Sequence, residues 1–297
     1  MIPTYNQSKY ITSAIDSVLQ QTYNNIEIIV SDDSTNNLTE DIILQNYKEK
    51  VKYFHNKKPL GRVANYHHIL YDLALGEWVV NLDGDDFFED INFLKDAVRL
   101  IKKYPDISFV FAKQIIYKSD ENKKIFSNIN CNEYMDGNWL FINSIFKNIE
   151  IPHLATLYNR KKALEINFYD KNIISSDRES LLKLSLNNKV AFLNTNAGCW
   201  VHHGNNKSQN VKLEEILENT KMYDRLCAYA KVNTKLSSFK LSIWKLFAKY
   251  KALYVYMINT KQGSIRDNYL FLLKNNYLLF FLTLVDIRLY IRYFKND

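Results

Sequence analysis

Three aspartates fall within four positions of the stretch NLDGDDFFED, residues 81–90: Asp83, Asp85 and Asp86, with Gly84 between the first two. The preceding GEWVV reads as a buried strand. Like carboxylates repel, so gathering them in one turn costs free energy unless something positive compensates. The residues alone leave open whether that is a metal ion, an arginine or water. An EF-hand loop is a poor alternative, because Phe87 and Phe88 stand where oxygen ligands are needed. An Asp-x-Asp phosphotransferase, with Asp83 as nucleophile, stays open as a rival.

Two further carboxylates follow another strand-like run: Asp32 and Asp33 in SDDST, after IEIIV. An Asx-turn after the strand is the structural alternative. Asp177 in SSDRESLLKL stands just before a helical segment, with Glu179 two residues on. It suits an N-cap, a general base, or both. Trp200, His202 and His203 begin WVHHGNNKS. An imidazole there suits a metal ligand or a phosphate partner.

The elements that must position these groups alternate. Ile11, Ala14, Ile15, Val18 and Leu19 have helical spacing, predicting a helix from Ser8 to Gln21. IEIIV and VKYFHN read as strands, GRVANYHHILYDLAL as a helix and EWVVNLD as a strand. INFLKDAVRLIKKY reads as an amphipathic helix capped by Asp90, and ISFVFAKQII as a strand. This order, from residue 1 to about 115, predicts a mainly parallel α/β sheet. In such sheets ligands bind at the carboxyl ends of the strands, where the acidic clusters fall. Residues 116–210 mix short strands with the helix DRESLLKLSL, and from Lys212 on the pattern is helical.

Composition narrows the class. The chain has 297 residues and 47% hydrophobic residues, enough for one large domain or two smaller ones. Cys131, Cys199 and Cys227 are scattered, with no Cys-x-x-Cys pair, which disfavours a disulfide framework or zinc ribbon and fits a reducing cytosol. No run of 18 apolar residues occurs, so a spanning helix is not expected, nor is a signal peptide. The net charge of +7 is uneven: 12 Lys and Arg against 3 Asp and Glu from Lys231 on give +9, leaving −2 for the first 230 residues. That asymmetry suggests two functional parts.

Taken in order, PTYNQSKYITSAIDSVLQQTYNNIEIIVSDDST, LGRVANYHHIL, GEWVVNLDGDDFF, SSDRESLLKL and WVHHGNNKS resemble glycosyltransferase family 2, inverting nucleotide-sugar transferases of the GT-A fold. The resemblance covers roughly residues 1–210 and implies a GT-A domain there, followed by a helical extension over 211–297. The strand that usually precedes the Pro-Thr-Tyr-Asn loop is nearly absent. The resemblance places Pro3, Thr4, Tyr5 and Asn6 at the nucleotide, with Asp33 on the uracil and Asp32 its neighbour. The Asp-Asp-x-Ser spacing is shortened here, which leaves the choice between Asp32 and Asp33 open. Arg62 would face the base or diphosphate. Asp85 would be the main ligand of a Mg or Mn ion, Asp83 would reach ribose or metal, and Asp86 would support them or the acceptor. Asp177 would be the general base, with Glu179 in reserve. His202, more than His203, would complete the metal shell, with His203 and Trp200 as support or acceptor-side residues.

The implied reaction moves a sugar from a UDP-linked donor to a hydroxyl of a glycan or polyprenyl-linked glycan, in bacterial surface-polysaccharide synthesis. Residues 116–175, including IPHLATLYNR, would shape the acceptor site. The basic aromatic tail suits an inner-leaflet membrane surface, placing a peripheral enzyme on the cytoplasmic face. No nucleic-acid motif is present, so nucleic acid is not an expected partner. A non-catalytic nucleotide- or glycan-binding homologue remains the alternative.

Overall fold

A computed structural model describes residues 1–203, 211–259, 270–274, 276 and 280–282. They form two compact units: Met1–Asn172 with Ser176–His203, and Ile173–Ser175 with the described residues beyond 203.

In the first unit the order is β1 (Ile2–Thr4), α1 (Ile11–Leu19), β2 (Ile29–Asp32), α2 (Leu38–Asn46), β3 (Lys52–His55) and α3 (Arg62–His68). A π-helical turn, Ile69–Leu73, extends α3. Then come β4 (Trp78–Val79), β5 (Phe87–Phe88), α4 (Phe93–Lys103), β6 (Ile107–Lys118), β7 (Lys123–Phe126) and β8 (Tyr134–Asp136). The unit ends with α5 (Gly137–Phe146), β9 (Thr156–Asn159), α6 (Arg160–Glu165), α7 (Ser176–Ser185) and β10 (Lys189–His202).

Periodicity explains the helices. Helix α1 buries Ile11, Ala14, Ile15 and Val18, one stripe at 3.6-residue spacing. It begins at Ile11, with its apolar stripe, rather than at the expected Ser8, because residues 7–10 form a turn closed by Tyr10 N–H donating to the Gln7 carbonyl at 2.9 Å. Helix α4 buries Phe93, Leu94, Ala97 and Leu100. Its N-cap residue is Asn92, not Asp90; Asp90 instead accepts from the Asn92 N–H at 2.9 Å and the Thr195 hydroxyl at 2.6 Å.

The strands make two sheets. β1, β2 and β3 pair in parallel, with Thr4 opposite Asp32 and Asp32 opposite His55. On the far side of β1, Met1 N donates to the Val80 carbonyl at 2.9 Å, Leu82 N to Met1 at 2.9 Å and Gly84 N to Pro3 at 3.0 Å. That spacing is a parallel ladder. The first strand is thus short, yet paired on both sides, and its edge is covered. The second sheet is mixed, in the order β4-β9-β6-β10-β5, with β7 on β6 and β8 on β10. Only β6 and β10 run parallel within it. The parallel pairing read from alternation therefore holds chiefly for the first sheet and the 80–84 segment. Their carboxyl ends bring Thr4, Asp32, Asp33 and Asp83 to one rim.

The second unit contains α8 (Leu213–Thr220), α9 (Met222–Asn233) and α10 (Ser238–Asn259). Leu213, Leu253, Tyr256, Met257 and Leu272 form its core, and Trp244 is fully buried edge-on to Tyr223. Asp224 on α9 pairs with Lys245 and Lys249 on α10, so part of the tail's positive charge is compensated internally. Phe239, Phe247 and Val255 are exposed. Among the described residues no helix is long and apolar enough to cross a membrane. Much of the basic aromatic tail, residues 260–269 and 283–297, lies outside the described residues.

Candidate active site

The 80–84 segment ends in the acidic turn. Asp83, Asp85 and Asp86 each bring a carboxylate oxygen within 4.8 Å of the others'. Gly84 is required by space: a Cβ there would lie 2.8 Å from Thr4 Oγ1 and 2.9 Å from Thr4 Cβ. Asp86 is buried and accepts from the Val201 N–H at 2.9 Å, tying the turn to β10. Burial first, then the charges of Asp85 and Asp83, push its pKa well up. Asp85 is also pushed up, by burial and then by Asp83, although its contact with His203 Nε2 at 2.9 Å opposes this. The turn therefore holds more negative charge than its neighbours neutralise. Clustered hard oxygens in such excess are the donor set of Mg or Mn, and these residues fit that ion.

Asp83 is held from two sides. Its Oδ1 accepts from Asn81 Nδ2 at 2.8 Å and its Oδ2 from the Tyr66 hydroxyl at 2.9 Å. Burial, and then Asp83, keep the Tyr66 phenol protonated by raising its pKa well above the usual value. The Arg62 guanidinium lies 5.4 Å from the Tyr66 ring centroid. Desolvation works against its charge, but Tyr66, Asp177 and Asp83 together raise its pKa. Behind Tyr66, His153 Nε2 contacts the Tyr169 hydroxyl at 2.6 Å, and that hydroxyl lies 3.2 Å from Tyr158 Oη. Burial lowers the His153 pKa against the pull of Asp177 and Asp83.

The neighbouring rim is built differently. Asp33 Oδ1 accepts from Asn56 Nδ2 at 2.7 Å and the Leu60 N–H at 3.1 Å, while Oδ2 accepts from the Gly61 N–H at 2.9 Å. Gly61 has φ +88°, a conformation that favours glycine and aims its N–H at Asp33. Asp32, wholly buried, accepts from the Ser34 N–H at 2.8 Å and the Tyr53 hydroxyl at 2.9 Å. Pro3 and Thr4 are buried, and the Thr4 hydroxyl has no partner among the described residues. Tyr5 is 54% exposed, so its ring is available to a ligand. Asn6 is left-handed, φ 53°, and donates its N–H to Ser34 Oγ at 2.8 Å, locking the loop to the end of β2.

Asp177 lies in the first turn of α7, half-buried, and makes no hydrogen bond or ion pair among the described residues. The same Arg62 senses Asp177 and Asp83, so the two carboxylates share one field. Glu179 lies on the same turn. The structure separates the two histidines. His203 contacts Asp85 and stacks on Tyr10, centroids 4.7 Å apart. His202 instead packs edge-on to Trp200 at 4.1 Å, and its Nε2 is buried without a partner among the described residues. The expected precedence of His202 over His203 is thus reversed at the acidic turn. The loop GNNKS, also expected there, lies outside the described residues. Sequence reading missed Tyr10, Asn56, Tyr66, His153 and Tyr169. Tyr10, Tyr66 and His153 stood inside quoted motifs, but no spacing rule marks a side chain that reaches the site from another element.

Comparison with known proteins agrees with this geometry. The model of glycosyl transferase family 2 matches residues 1–166. The chondroitin synthase of Pasteurella multocida is 28% identical over 211 residues, 70% of this chain and 21% of that protein. A Campylobacter jejuni protein, GalNAc(5)-diNAcBac-PP-undecaprenol beta-1,3-glucosyltransferase, is 26% identical over 290 residues, 90% of this chain and 88% of that one. The chain spans about a fifth of the length of a Rickettsia conorii relative, an uncharacterized glycosyltransferase, and of the Pasteurella protein, 20% and 21%. The structure of S. aureus TarS 1-349 in complex with UDP-GlcNAc superposes with a TM-score of 0.68 at 17% identity, covering 88% of this chain and 75% of that one. Fold, family match and acidic rim converge: the chain has the GT-A fold and belongs to glycosyl transferase family 2.

Proposed function

We propose that the protein transfers a sugar from a UDP-linked donor to an acceptor hydroxyl in one inverting displacement. The observation that carries this reading is Asp177. It is a carboxylate with no hydrogen bond among the described residues, in the field of the Arg62 that also faces Asp83. Inversion needs one base to take the hydroxyl proton as its oxygen attacks, and no covalent intermediate.

Asp83, Asp85 and His203 would hold Mg or Mn. That ion, when bound, offsets the charge of the diphosphate as it leaves. Asp33 would accept from the base and Tyr5 would stack on it. Pro3, Thr4 and Asn6 would shape the pocket wall, and Asp32 would brace it. Arg62 would neutralise the diphosphate. Asp86 would support the turn, while Glu179 and Trp200 would line the acceptor side. Asp83 is assigned a holding role, its carboxylate plane being fixed by two donors.

The Campylobacter relative's name specifies an undecaprenol-linked acceptor. We extend that class here: a lipid-linked glycan acceptor in surface-polysaccharide synthesis, reached by a peripheral enzyme whose C-terminal helices meet the membrane surface. Calorimetric titration with UDP, in Mn²⁺ and in EDTA, tests the donor reading. Binding that needs Mn²⁺ and vanishes in Asp85→Ala is expected. Equal binding in EDTA, or none in either, would overturn it.

A further inference from the structure

Tyr66 touches both an acidic and a basic member of the site. It stands on α3, whose neighbouring Asn65 is fastened to β2: Asn65 Nδ2 donates to the Ser31 carbonyl at 2.9 Å, and Ser31 Oγ donates to Asn65 Oδ1 at 2.6 Å. The Tyr66 ring is 1% exposed, against His153 at 5.4 Å and Tyr169 at 5.3 Å between centroids. Packed this way the ring cannot swing, so its hydroxyl is a fixed donor. It meets Asp83 Oδ2 while Asn81 meets Oδ1. Two donors on two oxygens fix the plane of a carboxylate, and each oxygen keeps a lone pair for an outside partner. Arg62 lies over the ring and also hydrogen-bonds the Tyr66 hydroxyl.

We propose that Tyr66 is a positioning residue: its hydroxyl fixes the Asp83 carboxylate for a divalent cation, and its ring carries the Arg62 guanidinium that meets the diphosphate. The inference rests on the donor reading above. It separates two functions within one side chain. Tyr66→Phe keeps the ring beneath Arg62 and removes the hydroxyl, which donates to Asp83 and also contacts the guanidinium, so Asp83 pivots about its Asn81 contact. Tyr66→Leu removes both. Removing a group that orients a metal ligand typically weakens metal affinity 10–100-fold.

The test is UDP binding by calorimetry on the full chain across a MnCl₂ series, with melting temperature alongside. The unaltered protein sets the Mn²⁺ midpoint for UDP binding. In Tyr66→Phe that midpoint is expected to rise about tenfold. Saturating Mn²⁺ then restores the UDP affinity, at an unchanged melting temperature. In Tyr66→Leu saturating Mn²⁺ should not restore it, because the Arg62 platform is gone. Tyr47→Phe is the control. It deletes a Tyr–Asp hydrogen bond of 2.8 Å, to Asp16, away from the site, and the midpoint should stay put. An unchanged midpoint in Tyr66→Phe overturns the inference while leaving the donor reading intact. Weakened UDP binding that Mn²⁺ cannot rescue also overturns it, since that is the mark of a merely structural tyrosine. An unaltered protein without Mn²⁺-dependent UDP binding overturns both. Tyr66→Phe alone decides the matter if Tyr66→Leu does not fold.

Discussion

Two aspartate clusters end strands of the same rim, and they are compensated in opposite ways. Asp32 and Asp33 accept from the Ser34, Leu60 and Gly61 N–H groups, the Asn56 amide and the Tyr53 hydroxyl. Their charge is dispersed into neutral dipoles of the protein's own loops. Asp83, Asp85 and Asp86 face one another, and two of them are pushed toward protonation. The first cluster is compensated from within the fold; the second keeps an excess of charge that a proton or a cation would offset. The same residue type at corresponding strand ends therefore does structural or chemical work according to who donates to it.

Neutralising one member of each cluster gives the largest contrast. Asp33→Asn puts an amide donor against backbone N–H groups that now need an acceptor, and should cost roughly 2–4 kcal/mol. Asp86→Asn keeps an acceptor for Val201 and removes a repelling charge. In metal-free buffer near neutral pH it should stabilise the fold, because the repulsion from Asp85 and Asp83 is removed. Denaturant melts in EDTA measure both, and two losses of similar size would erase the distinction between the clusters.

Acidification sharpens the same contrast. The Asp86 carboxyl, raised in the fold, keeps its proton at a pH where the unfolded chain, near 3.8, has released it. The folded state then binds more protons, so metal-free stability falls as pH rises through that window. A scan of melting temperature against pH should show this slope, and Asp86→Asn should flatten it. Excess Mn²⁺ should flatten it too.

The smallest effect belongs to the first rim. His55 sits between the Ser34 carbonyl at 3.1 Å and Glu40 at 3.3 Å, and these partners, the carbonyl foremost, raise its pKa against the effect of burial. Its contribution is complete below 6.5 and is lost as pH rises through the raised value. His55→Gln should cost up to about 1 kcal/mol at pH 6, because the pair is partly solvated, and almost nothing at pH 8.5. Equal losses at both pH values would assign His55 to packing.

Much of this rim was legible beforehand, because local rules governed it. The 3.6-residue stripes of α1 and α4 and the β-branched runs of β2 and β6 fixed those elements. The aspartates announced themselves by falling at strand ends. Helices α2 and α5 left weaker traces: α2 buries only Thr39 and Ile43, and α5 is apolar on most faces. The 14-residue β10 was also hidden, since its register against β6 is irregular between Leu193 and Gly198.

The sequence by itself determined which groups carry charge, and that the acidic ones fall at strand ends. Both follow from residue type and short-range periodicity. Only the tertiary structure decided which carboxylates are satisfied. Asp33 is answered by Asn56, Leu60 and Gly61, 23 to 28 residues away, and Asp85 by His203, 118 residues away. Adjacent His202 and His203 are alike as letters, yet one packs on Trp200 and the other meets the acidic turn. Direction at the end of a strand, and the donors brought there by distant segments, are properties of packing that no local spacing encodes.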